Sequence, residues 1–161
     1  MLECSVFADE SGDTGSDSEF YLLTLVFHNQ SESLETAISS YEQRLRDAGL
    51  PNIPFHMEPL MAQERDYANM PIPDRSKLLS YFHEFAVRCP IRHKTFVYDK
   101  KEFGRRDKRT ESGAIASKLS ERMEKDVSEF TEEHLAFFQK FDTVRVYYDD
   151  GQVEVSRALR S

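Results

Sequence analysis

The alternation of apolar and polar stretches along the chain predicts an α/β protein. Apolar runs predict one strand that ends just before Asp9 and three others, at residues 20–27, 91–98 and 143–148. Apolar residues at helical spacing predict three long helices, with apolar faces at residues 34–48, 78–89 and about 115–141. The run at residues 20–27 is apolar on both faces, which is typical of a central strand covered on both sides. The proline-rich residues 50–73 predict a long loop with short elements.

Two of the predicted strands end in acidic residues beside a glycine. Asp9, Glu10 and Asp13 follow the first apolar run, and Asp149 and Asp150 follow the last. Two such strands, with helices between them, suit a parallel pair, and α/β sheets bind ligands at the carboxyl ends of their strands. If the strands are neighbours, Asp9 and Asp149 face each other, and a cation or a shared proton must relieve their repulsion. Such oxygen ligands suit Mg²⁺ or Mn²⁺ better than Zn²⁺. The alternative is a pair of solvated acidic turns.

Composition narrows the class of protein. The 161 residues suit one domain, and the 12 Phe and 7 Tyr supply apolar bulk for a core. The formal net charge of -8 argues against a protein that covers nucleic acid along its whole surface. Cys4 and Cys89 are expected to be reduced core residues of a cytoplasmic protein. The apolar runs are too short to span a bilayer and the N-terminus does not resemble a signal peptide, so no membrane association is expected.

A basic connection and one histidine are further candidates. The connection at residues 100–109 holds six cations, among them Arg105, Arg106, Lys108 and Arg109. It is either a solvated loop or a binding site for the phosphate backbone of a nucleic acid beside the carboxylates. His56 begins a His-x-Glu sequence in the proline-rich loop. If this segment were a strand, His56 and the glutamate would share a face and both could point at the acidic site; the alternative is a surface histidine.

Three motifs together resemble a known family. They are Phe-Ala-Asp-Glu-Ser-Gly-Asp at residues 7–13, Phe-His at residues 55–56 and Tyr-Asp-Asp-Gly-Gln at residues 148–152. In this order they resemble domain-of-unknown-function family 3800 (DUF3800), whose members are assigned to the ribonuclease H-like superfamily. The resemblance covers nearly all of the chain. It implies a single RNase H-like α/β domain, a mixed sheet with flanking helices, in which Asp9 is the first-strand acid and Asp149 matches the acid of a later central strand.

The leading functional hypothesis is a divalent-metal-dependent nuclease or a related phosphoryl-transfer enzyme acting on nucleic acid. Asp9 and Asp149 would hold Mg²⁺ or Mn²⁺, and His56 would act near the leaving group. The remaining acids would complete the metal shell or position water, and these are Glu10, Asp13 and Asp150.

The chain departs from the family pattern at its C-terminus. Family members typically continue with a helix that carries a further acid, whereas this sequence stops at Ser161. Either the C-terminal part of the domain is missing or the site is completed in another way. This departure favours the alternative hypothesis of a non-catalytic regulatory module on the same fold, which binds nucleic acid or a protein partner.

Overall fold

The structure, a computed structural model, describes residues 1–12, 18–103 and 112–148, the first four residues of the last range by their backbone alone. Within these ranges the chain has a mixed α/β fold of four strands and five helices, which confirms the predicted class. The strands are β1 (Glu3–Ser11), β2 (Phe20–Asn29), β3 (Ile91–Asp99) and β4 (Thr143–Tyr148). The helices are α1 (Glu35–Asp47), α2 (Met57–Ala62), α3 (Ile72–Arg88), α4 (Ser112–Glu133) and α5 (Leu135–Phe138).

The four strands form one mixed sheet in the order β3-β2-β1-β4. β2 pairs antiparallel with both β1 and β3, whereas β4 pairs parallel with β1. The predicted parallel pairing of the first and last strands is therefore confirmed. β1 lies inside the sheet, but β4 is its edge strand within the described residues, where the family resemblance implies a central position.

The chain divides into two compact units, one of residues 1–31 and 91–161 and the other of residues 32–90. The first unit contains the whole sheet, and its core is built between the sheet and α4. Cys4, Val6 and Ala8 of β1 are buried together with Leu119 and Met123 of α4. Both cysteines are free thiols, and burial raises the pKa of Cys4. A single domain was expected because no composition change marks a linker on either side of residues 32–90.

The second unit has its own core, made by α1, α2, α3 and the loop between them. Leu45, Leu60, Tyr67 and Leu78 are each at most 1% exposed. Phe55 stacks on a phenylalanine of α3, Phe82, with ring centroids 3.9 Å apart. The predicted loop with short elements is confirmed: residues 50–71 contain α2 and one 3₁₀ turn at Arg65–Tyr67.

Two helix predictions differ from the structure in detail. One helix was predicted to reach Phe141, but α4 ends at Glu133 and α5 follows after His134. The break lets Phe137 and Phe138 pack edge-on around Phe27 of β2, with centroids 6.2 Å and 5.9 Å away. The helix with the predicted apolar face at residues 78–89 begins earlier, at Ile72, with Pro71 in the cap position and Asp74 in the first turn. In the described part of the chain, no helix combines the length and apolar character needed to cross a membrane.

Candidate functional site

The candidate site lies at the carboxyl end of β1, beside the parallel strand β4. The register of the two strands runs from Glu3 opposite Thr143 to Ala8 opposite Tyr148. This last pair immediately precedes Asp9 and Asp149 in the sequence. The two strands are thus in register up to the residue that precedes each acid in the sequence. Asp149 itself lies outside the described residues, as do Asp13 and Asp150.

Asp9 is an exposed residue on the sheet face that points away from α4. It shares this face with Phe7, since alternate residues of a strand point the same way. Across the hairpin it pairs with Thr24, whose hydroxyl is 3.0 Å from the hydroxyl of Thr95 in β3. A carboxylate here is rigidly carried and open to solvent, so it can take a cation or a polar ligand.

Glu10 points to the opposite face of the sheet from Asp9. Its side chain is half-buried, and the hydroxyl of Tyr148 donates a hydrogen bond of 3.1 Å to its Oε1. The bond joins the carboxyl ends of β1 and β4 on the core side. The structure therefore separates two residues that the sequence hypothesis put into one catalytic group, because neighbouring residues of a strand face opposite ways.

A second polar group lies on the core side, and sequence reasoning did not identify it. Tyr98 of β3 is 4% exposed, and its burial together with the neighbouring Asp126 carboxylate raises its pKa. Arg122, one helical turn before Asp126 in α4, holds that carboxylate with bonds of 2.9 and 3.0 Å. In the sequence, an Arg and an Asp four residues apart on a helix look like an ordinary surface ion pair. Their position beside Tyr98 depends on the packing of α4 on the sheet, which the sequence does not show.

Gly12 of the Asp-Glu-Ser-Gly sequence has a structural reason to be glycine. Its φ is +95°, and a β-carbon would lie 2.5 Å from the carbonyl oxygen of Phe20. Any larger residue would have to push β2 away. The glycine is therefore required by the close approach of the hairpin strands, whereas this contact does not explain the acids before it.

His56 belongs to the second unit, and the segment around it is not a strand. His56 occupies the N-cap position of α2, and Glu58 lies in the first turn of that helix. The helix forms because it buries Pro59 and Leu60 on one side. The argument that His56 and Glu58 share a strand face therefore fails. His56 itself is exposed, and its backbone N–H donates to the hydroxyl of Tyr67 over 3.1 Å.

Most of the basic connection falls outside the described residues, including Arg105, Arg106, Lys108 and Arg109. Its first two lysines are described. Lys100 is buried, at 8% exposure, and Lys101 forms an ion pair with Glu19.

Among the described residues, no three His, Cys, Asp or Glu side chains form a group suited to a metal ion. Comparison of the chain with protein-family models, with curated proteins and with solved structures finds no match. The geometry of the first unit is therefore the basis for a functional proposal.

Proposed function

We propose that this protein is a divalent-metal-dependent nuclease or a related phosphoryl-transfer enzyme, built on an RNase H-like fold of the kind that the resemblance to family 3800 implies. The observation that carries the proposal is the parallel register of β1 and β4, which is described up to the pair Ala8–Tyr148. An interior strand and its parallel neighbour thus each lead directly into an aspartate. The carboxyl ends of parallel strands are where α/β sheets hold their ligands.

The donor types agree with Mg²⁺ or Mn²⁺. Asp9 is an exposed carboxylate on a rigid strand, and in the proposal Asp149 is its partner, with Asp13 or Asp150 completing the shell. A bound divalent ion lowers the pKa of its water and offsets charge on a phosphoryl group. Glu10 faces the core side, so its part in the proposal is to hold the two strand ends together.

The basic connection supplies the contact to nucleic acid in this proposal. Lysine and arginine side chains bind phosphates without regard to sequence. The four residues assigned to this contact are Arg105, Arg106, Lys108 and Arg109. His56 lies in the second unit, and the proposal assigns it no role.

Thermal unfolding with and without Mn²⁺ tests the shared metal site through the change Asp9→Asn. A ligand that binds only the native state stabilises it by about 2.7 kcal/mol at a hundredfold excess over its Kd. The wild type should show this rise. Asp9→Asn should melt higher than the wild type without metal, because one of two repelling charges is gone, and should not respond to Mn²⁺. Asp47→Asn, at the end of α1, removes a carboxylate elsewhere and should respond as the wild type does. A full Mn²⁺ response in Asp9→Asn contradicts the shared site.

Cleavage is measured separately, with fluorescently labelled oligonucleotides and Mn²⁺ or Mg²⁺. The wild type should cleave and Asp9→Asn should not. Binding of nucleic acid by the wild type without any metal-dependent cleavage would contradict the enzyme and favour the non-catalytic binding module.

A further inference from the structure

Two aromatic side chains lie exposed on the sheet face that carries Asp9. Phe7 of β1 is 47% exposed and Tyr147 of β4 is 45% exposed. They are opposite each other in the parallel register, and their rings stack with centroids 5.1 Å apart at an angle of 16°. We call these two residues the ring pair.

The ring pair lies next to the proposed metal site. Phe7 precedes Asp9 by two residues on the same strand, which corresponds to about 6.6 Å along the strand on the same face. Tyr147 stands in the same relation to Asp149 in the sequence. A ligand that reaches Asp9 from this face therefore passes the rings.

The chemistry around the ring pair favours a flat ligand with a charged edge. Arg145 precedes Tyr147 by two residues on this face and is 61% exposed in its pair with Glu3, with 3.3 Å between Nε and Oε2. Exposed ion pairs of this kind contribute little stability, so the guanidinium can be shared with a phosphate. Aromatic faces beside a positively charged group are the combination by which proteins stack the bases of a single strand and hold its backbone.

We propose that the ring pair stacks an unpaired base of a single-stranded nucleic acid and that the guanidinium of Arg145 holds the phosphate beside that base. This proposal rests on the proposed function and names its substrate class. A double helix keeps its bases stacked inside, so it cannot offer a ring face to Phe7 or Tyr147, whereas single strands and loops can.

The change Tyr147→Trp places a single tryptophan in the ring pair, because the chain contains no other Trp, so tryptophan fluorescence reports on this position alone. The variant is titrated in EDTA, where metal-dependent cleavage does not occur. A single-stranded oligonucleotide should quench the indole fluorescence in a saturable way. An abasic strand of equal length carries the same phosphates without bases and should not quench, and neither should a blunt duplex of the same sequence. Equal quenching by the abasic strand or by the duplex would overturn the proposal.

Affinity for the single strand is then measured by anisotropy of a labelled oligonucleotide. Stacking on an aromatic side chain contributes about 1–3 kcal/mol per base, so Phe7→Leu and Tyr147→Leu should each weaken binding about fivefold or more. Val146→Ala is the matched control, since Val146 is 48% exposed on the same strand but on the opposite face; its affinity should not change. Tyr147→Phe keeps a ring and should also bind as the wild type does. Urea unfolding of each variant shows that the measured protein is folded.

The outcomes separate this proposal from the enzymatic one. Quenching and ring-dependent binding without any metal-dependent cleavage would support the ring pair and contradict the nuclease. Cleavage that is unchanged in folded Phe7→Leu and Tyr147→Leu would support the nuclease and overturn the ring pair.

Discussion

The hydrogen bond between Tyr148 and Glu10 links the carboxyl ends of β1 and β4, and Tyr148→Phe removes it. The bond spans 138 residues of sequence with 3.1 Å between the two oxygens. Hydrogen bonds to charged groups contribute about 1.5–3 kcal/mol. This one is long for two oxygens, so we expect the lower end, a loss of about 1.5 kcal/mol in the free energy of unfolding.

Urea unfolding measures this loss. With a slope of about 2 kcal/mol per molar urea, the midpoint should fall by about 0.7 M with an unchanged slope. Tyr147→Phe is the matched control, because it removes a hydroxyl from the adjacent tyrosine, which is 45% exposed on the other face. A surface change of this kind should shift stability by less than about 0.5 kcal/mol.

A double-mutant cycle with Glu10→Ala isolates the pair. If the two residues act through this bond, the losses should fall short of additivity by about 1.5 kcal/mol. Agreement with additivity within about 0.3 kcal/mol would refute the link. The same variants test the assignment of faces. Glu10→Ala should keep a Mn²⁺ response, since Glu10 points away from Asp9; a loss as complete as in Asp9→Asn would refute our separation of the two acids.

The strands and their pairing were largely predictable because their pattern is local. Val144 and Val146 alternate in the sequence with Arg145 and Tyr147, so a strand puts the valines on one face and the other two on the opposite face, and the structure has a strand there. The parallel partner of that strand followed from the helix between the two strands, since a parallel return needs a long crossover. The opposite orientations of Asp9 and Glu10 also follow from alternation and could have been read from the sequence.

Features that depend on tertiary packing were not predictable. Nothing near His134 signals a break, because the apolar spacing continues through Phe141. The break is favoured by one ring on β2, that of Phe27, which the sequence does not place beside the helix. The helix after His56 was not predicted for a related reason: Pro59 suits the first turn of a helix, but the burial of Leu60 that holds α2 in place comes from the second unit's own core.

The candidate site was predictable as a location but not as a chemistry. Acids after a strand and before a glycine serve a metal site and a solvated turn equally well, and the glycine turns out to be required by the contact with Phe20. The structure adds that β1 and β4 are parallel neighbours, in a register described up to the pair Ala8–Tyr148. The ring pair was not predicted, because the contact between Phe7 and Tyr147 depends on the register of β1 and β4.

Two further predictions concern the second unit. Tyr67 is 1% exposed, and its hydroxyl donates to the carbonyl of Pro54 over 2.9 Å and accepts from the N–H of His56. Tyr67→Phe leaves both groups without this partner and should lower the free energy of unfolding in urea by about 2 kcal/mol. No change would show that water replaces the hydroxyl fully. In α3, the hydrogen bond from Arg44 lowers the pKa of Glu84. A folded-state pKa below the unfolded value stabilises the protein above the unfolded pKa, and this contribution is lost as pH falls through the folded one. Melting temperatures measured from about pH 6 down to about pH 2 should therefore fall less steeply in Glu84→Gln than in the wild type, because the glutamine has no proton to take up. An equally steep fall of the melting temperature in the wild type and in Glu84→Gln would show that the ion pair with Arg44 does not contribute to the stability of this unit.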